Sequence, residues 1–573
     1  ITTGNYNTVL GYLALSTEDE GSHNVAIGYL ALEDQDAGAD AYNVAIGSSA
    51  GKEVTTGKEN VFIGGNVADS ITTGQRNVAI GHAALQTEDE HGYNVAIGNR
   101  ALQTQNAGAD AYNVAVGSNA GQSITTGVQN TIIGGLAGDA LTTGGDNVVL
   151  GYQALTTEQA GGRNVAIGTF ALQDLNTDSN AYNVAVGHAA GANLTTGTNN
   201  TIIGGLAGDA LTQGNSNVVF GYNALSQETK GDRNVAIGMN ALTAQNNTSS
   251  TDVYNVGIGY NAGTSMSTGT ANNLIGGLAG DALTTGSNNV AVGYNALSTE
   301  DTGFGNIAIG YEALRDLNFD GTSYSICMGY QAGRLISTGV RNNIIGGLAG
   351  DALTTGERNT VMGHGALGSE TDGNRSTAIG YNALINQNVG DSNANNTAVG
   401  YDAGGDVTTA TSCVFIGADS GNSVTTGQRN VSVGYQALTT EDTGRKNTAV
   451  GYRALRLLNF DGDGQNTAVG NVAGQNVSTG IKNTLLGALA GQDITTGSNN
   501  ICVGHDAGDV LQTGSNNVYI GGDIDAGATD RVNEIVIGQG STGSGSNTVT
   551  LGNGSISSLH CQVSSISALS DKR

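Results

Sequence analysis

From residue 7 onward the chain repeats one polar position, three apolar positions and a glycine, in the form Asn43-Val44-Ala45-Ile46-Gly47. Similar stretches stand at 24–28, 94–98, 164–168, 234–238, 306–310, 447–451 and 517–521. The closing glycines, from Gly11 to Gly552, number 32, and their steps of 17, 19, 17 and 17 residues recur with little drift. Four coils therefore form a super-repeat of 70 residues, with Gly28, Gly98, Gly168 and Gly238 at the same phase. A short β-branched run that follows a turn-forming Asn and stops at Gly reads as a strand. Units this short cannot bury an apolar face alone and must stack on neighbours. The prediction is an all-β fold: a parallel β-roll, or β-solenoid, of about 32 coils, each advancing one strand spacing of about 4.8 Å. Weaker segments, Ala154-Leu155, Ala224-Leu225 and Ala296-Leu297 in some coils and 71–74 or 141–144 in others, predict a second strand per coil.

Successive side chains of a strand point to opposite faces, so the last apolar residue (Ile46, Ile97, Leu150, Phe220, Met328) points away from the one before it. A roll alone in water would make one of the two polar. Instead the middle position holds Ala45, Phe62, Ala79, Ile132, Ile202, Leu274, Ile344, Phe415 and Leu485. Both faces call for burial, and an apolar stripe of this length is too large to stay wet. The expectation is a homo-oligomer packed about a common axis, with those nine middle residues on the axis. Ala there allows close approach, and Ile, Leu or Phe fills wider gaps once per super-repeat.

Composition narrows the partners. Glycine is abundant (92) and proline absent, as tight corners and strands paired on both sides require. A net charge of −28 argues against nucleic acid and anionic membrane as partners and favours solubility. No apolar run approaches the length of a membrane span, so no membrane insertion is expected. Nothing at the N-terminus resembles a signal peptide, and the chain starts at Ile1 in mid-pattern, as a fragment or processed product would. The four cysteines lack metal or redox spacing; Cys327 and Cys502 at the middle position and Cys413 at the motif start read as small buried hydrophobes. Two regions follow: a repeat shaft over 1–538, and a Gly/Ser-rich junction over 539–573 with a last short strand at 548–552.

Candidate chemistry is sparse. The longer coil of each super-repeat carries a bulged loop (Glu33–Tyr42, Gln103–Tyr112, Gln173–Tyr182, Thr243–Tyr254, Arg315–Tyr324, Ile385–Asn395, Arg456–Gln465). Such insertions fall on one face and make a ridge. Acidic turns at 16–21 and 86–90 read as a solvated edge. Tyrosines after the motif glycine, joined by His82, His188, His364 and His505, read as rings that cover the coil corner and stack; no carboxylate stands at a diagnostic spacing from the histidines. Asp461-Gly462-Asp463-Gly464 and 318–321 invite a calcium reading but lack a full ligand pattern. No cofactor, metal site or catalytic residue is assigned. A Thr-Thr-Gly ladder suggests ice binding, yet acidic turns interrupt it for two coils in four. A polysaccharide depolymerase needs paired carboxylates in one cleft, and the acids recur in every repeat.

The Asn-Val-Ala-Ile-Gly units resemble the head repeats of trimeric autotransporter adhesins, which implies a left-handed β-roll wound as a homotrimer, although the coil is longer than usual for that family. Their membrane barrel and coiled-coil stalk are not seen. At the other end, 557–563 and Ser570-Asp571-Lys572-Arg573 resemble the junction before the self-cleaving intramolecular chaperone of bacteriophage tail fibres and spikes, which implies cleavage between Ser570 and Asp571. Together these resemblances imply a structural and adhesive fibre rather than an enzyme. It would be the trimeric shaft of a phage tail fibre or other virion appendage, extracellular, with itself and a host-surface glycan or protein as partners. The alternative is a cellular trimeric surface adhesin or extracellular filament.

Overall fold

The computed structural model describes residues 3–560 and 562, and the chain divides into two compact units, Ile1–Gly305 and Asn306–Arg573. The first unit stacks 17 three-residue strands in parallel, from Thr8–Leu10 to Val290–Val292, and the second stacks 15, from Ile307–Ile309 to Val549–Leu551. Within each unit the strands pair in register coil upon coil; Val44, Ala45 and Ile46 lie opposite Val61, Phe62 and Ile63. No helix occurs among the described residues. The all-β class, the parallel solenoid and the 17-residue period are therefore as the sequence predicted. A short extra pair, Gly231–Asp232 with Thr251–Asp252, ties down the loop at 243–254.

The predicted second strand is not formed. Ala154-Leu155, Ala224-Leu225 and Ala296-Leu297 lie in turns, and Leu155, Leu225 and Leu297 have φ of 50°, 50° and 54°. Left-handed backbone cannot extend as a strand, yet the coil-to-coil bonding persists: Leu155 N–H donates to the Ala171 carbonyl at 3.0 Å.

The nine residues predicted for an oligomer axis lie elsewhere. Ala45, Phe62, Ala79, Ile132, Ile202, Leu274, Ile344, Phe415 and Leu485 are all fully buried inside a single chain. A three-residue strand turns one side chain inward and two outward, and the middle one is the inward one. The gaps that the large residues fill are gaps in this interior. Where the facing turn carries Leu, as at Leu32 and Leu102, the middle residues nearby are alanines; where it carries Gly, a large residue enters. A Cβ on Gly51 would stand 2.7 Å from Phe62 Cδ2, one on Gly263 2.6 Å from Leu274 Cδ1, and one on Gly474 2.6 Å from Leu485 Cδ1. Core volume is thus conserved by exchange across the coil.

The motif's two ends also have structural causes. Asn43 Oδ1 accepts from Asn60 N–H at 3.0 Å, and Asn43 Nδ2 donates to the Gly57 carbonyl at 2.7 Å. The buried amides therefore form a ladder that supplies backbone partners where the coil turns. Cys413 takes an Asn position and its Sγ lies 3.3 Å from the Gly427 carbonyl. Gly47 closes its motif at φ 140°, and a Cβ there would lie 2.0 Å from the Gly64 carbonyl oxygen, so no other residue fits.

Candidate functional site

The bulged loops are held by carboxylates from inside the core. Glu18, Glu88, Glu158, Glu228, Glu300, Glu370 and Glu441 are fully buried, one per super-repeat, in the row that other coils fill with Val54, Ile71 or Leu141. Each sits below its own turn: Gly161 N–H donates to Glu158 at 2.7 Å and Gly444 N–H to Glu441 at 2.7 Å. Glu158, Glu228 and Glu370 also reach the base of the loop in the next coil, accepting from Thr177 N–H at 3.1 Å, Asn247 N–H at 3.0 Å and Val389 N–H at 3.2 Å. Gln35, Gln105, Gln245 and Gln387 add a side-chain donor at 2.8–3.2 Å. Burial pushes the Glu441 carboxyl up to about 7 against backbone donors at Gly444 and Phe460. Glu88 is raised by the same cause and held back by His91 and Gln105. The sequence reading took these acids for a solvated edge. The signal missed was their register with Val54 and Ile71.

The third position of every three-residue strand is apolar and points outward, while the first, also outward, is Val or Ile in most strands and Thr or Asn in others, as at Thr131 and Asn273. Leu150, Phe220, Met362 and Leu486 are 41, 54, 46 and 49% exposed, at the third position of strands whose middle residue faces in. Beside this face the tyrosines after the motif glycine stack as expected: Tyr311 on Tyr330 at 5.3 Å, Tyr381 on Tyr401 at 5.4 Å, Tyr435 on Tyr452 at 5.7 Å. A second outer row, the residue before the motif Asn, was not singled out in the sequence. There Tyr6, His23 and Tyr42 stack at 4.8 Å each, and Arg76, Arg163 and Arg233 lie over Tyr93, Tyr182 and Tyr254.

Several titratable groups find partners that spacing concealed. His505 Nδ1 lies 3.0 Å from Asp523 Oδ1, one coil away, a partner at a separation that is not diagnostic in the sequence. Glu88, Asp89 and His91 bring three ligand atoms within 4.8 Å of one another, but the Glu88 carboxylate is already engaged by Asp89 N–H at 3.2 Å and Gln105 Nε2 at 3.2 Å. In the Asp461–Gly464 turn the acids are also engaged: Asp463 pairs with Lys446 Nζ at 2.6 Å and Asp461 accepts from Thr443. Cys327, Cys413 and Cys502 are buried and unbridged, and burial pushes the Cys413 thiol up to about 11 and the Cys502 thiol to about 12. Ser570 and Asp571 lie outside the described residues. Compared with known proteins, the chain matches no family model and no curated sequence significantly.

Proposed function

We propose that this protein is a structural and adhesive fibre, the homotrimeric shaft of a phage tail fibre or comparable extracellular appendage that contacts a host-cell surface. One observation carries the reading: the third strand positions, such as Leu150, Phe220, Met362 and Leu486, leave an apolar row exposed to water, joined in some coils by a first-position Val such as Val148 or Val218. Exposed apolar area of that extent is unfavourable at about 25 cal/mol per Å², and further copies of the chain laid along it would remove it from water. The interface therefore uses the outward positions, while the middle residues serve the core. Continuous hydrogen-bonded ladders supply stiffness, and repetition multiplies weak contacts. The Glu-clamped loops offer the contact surface, and the acidic surplus keeps the fibre dispersed. Cleavage between Ser570 and Asp571 belongs to the same reading. Light scattering of the native protein tests it: a mass of three chains is expected, and a stable, well-dispersed single chain overturns it.

A further inference from the structure

One coil of the 306–573 unit departs from its equivalents on the outer face. In the coil after each of Asp69, Asp139, Asp209 and Asp281, two outer positions carry side chains: Ala83 and Gln86, Gln153 and Thr156, Asn223 and Ser226, Asn295 and Ser298. Gln86 Nε2 donates to Asp69 at 3.5 Å, and Thr156 Oγ1 donates to Asp139. After Asp351 both places are glycine, Gly365 and Gly368. The missing side chains leave a pocket of about 230 Å³ walled by Leu348, Asp351, His364, Asn382 and Ile385.

The walls turn chemistry into that space. A Cβ on Gly368 would lie 3.8 Å from Asp351 Oδ1 and 3.6 Å from Ile385 Cγ1, and one on Gly365 would lie 2.8 Å from Asn382 Oδ1. Among the described residues no side-chain donor bonds the Asp351 carboxylate, and the Asn382 amide has no side-chain hydrogen bond. The His364 ring is fixed by stacking on Tyr381 at 5.6 Å and 12°, while toward the previous coil it meets Gly347, which has no side chain to cover it. Burial raises the Asp351 carboxyl, and its backbone hydrogen bond, followed by the nearby Arg334 guanidinium and the His364 ring, opposes that shift. The neighbourhood is therefore not a bare anionic hole that would select an ammonium group.

We propose that this pocket binds one pyranose ring of a neutral glycan. An acceptor carboxylate, an amide that both donates and accepts, and an imidazole match adjacent hydroxyls. Ile385 and Leu348 provide an apolar wall for the C–H face of the ring, the mix of apolar lining and few placed polar groups that small-molecule sites share. The volume holds about one ring. The inference deepens the attachment reading, on which it rests only for the source of the sugar.

The test is saturation-transfer NMR on the full chain with the methyl glycosides of glucose, galactose and mannose as probes. At least one should give a saturable signal. The double variant Gly365→Asn with Gly368→Ser restores the side chains of the ordinary coil and should weaken binding about tenfold or more, a loss of roughly one good contact. It has no backbone reason to misfold, because Asn223 and Asn295 adopt φ of 58° and 54° at the equivalent place. Asp351→Asn keeps the shape and should also weaken binding. No saturable signal from any of the three, an equal signal in the double variant, or displacement of sugar by methylammonium overturns the pocket. The native mass is read separately, so failure here leaves the fibre standing, and failure there leaves the pocket standing.

Discussion

In the 1–305 unit the row before the motif Asn sets each arginine between an acid and a ring. Arg76 bonds Glu59 at 2.7 Å beneath Tyr93, Arg163 reaches Asp146 at 3.5 Å beside Tyr182, and Arg233 pairs with Asp252 and Tyr254. In the 306–573 unit the same row reads Arg341, Arg358 and Arg375 in successive coils, and among the described residues their one ion pair is Arg358 with Glu357 at 3.7 Å. The units differ in charge as well, with seven basic against 26 acidic residues in the first and 14 against 23 in the second. Inside, they are alike. Phe62 fills the space left by Gly51 in one and Phe415 that left by Gly404 in the other. A narrow core admits one volume per level, so its repeats stay the same. The outer rows lie in water and are free to diverge, and the unusual pocket beneath Asp351 lies where they have diverged.

The largest effects should therefore be indifferent to the unit. Phe62→Ala and Phe415→Ala each face a glycine that cannot fill the void, and each should cost about 3–5 kcal/mol in denaturant unfolding. A loss near zero in either unit would break the claim of a common interior.

The buried carboxylates come next, and they differ by coil rather than by unit, since Glu370 of the second unit also has a glutamine donor, Gln387. Glu88 has Gln105 as a donor in the next coil, whereas Glu441 faces Leu458 at that place. With the folded pKa of Glu441 near 7 and the ordinary value 4.5, the folded state holds the proton across that window. Its stabilising contribution is full below about 4.5 and is lost as pH rises to about 7, by roughly 3 kcal/mol. Glu441→Gln should flatten this slope, and Leu458→Gln should shrink it. An unchanged pH–stability profile in both variants would refute the assignment.

Outward substitutions should act on assembly more than on the chain. Phe220→Asp in the first unit and Leu486→Asp in the second leave the interior intact, so circular dichroism should hold while the native mass falls toward one chain. Retention of the full mass would move the interface off this face. Smallest of all, Arg163→Ala removes a solvent-exposed pair screened by water and should leave the unfolding midpoint within experimental scatter.

Much of the architecture was legible because a repeat states each rule many times. Asn at the strand start and Gly at its end recur with the 17-residue step, and their reasons, the Asn43–Asn60 amide ladder and the Gly47–Gly64 approach, are local to that step. The candidate chemistry was less legible. Glu18 sits in a turn rich in Glu and Asp, and its inward direction shows only when it is set in register with Val54 and Ile71. His505 and Asp523 are separated by a whole coil, and the empty space beneath Asp351 is visible only when Gly365 and Gly368 are compared with Gln153 and Thr156.

The sequence by itself determined the period, the parallel stacking and the identity of the residues that open and close each strand, since these depend on neighbours one coil away at constant spacing. Only the tertiary structure decided which apolar face is the inside. Alternation along a strand is unchanged when its two faces are exchanged, and the choice is made by what stands across the coil, a leucine opposite alanine or a glycine opposite phenylalanine.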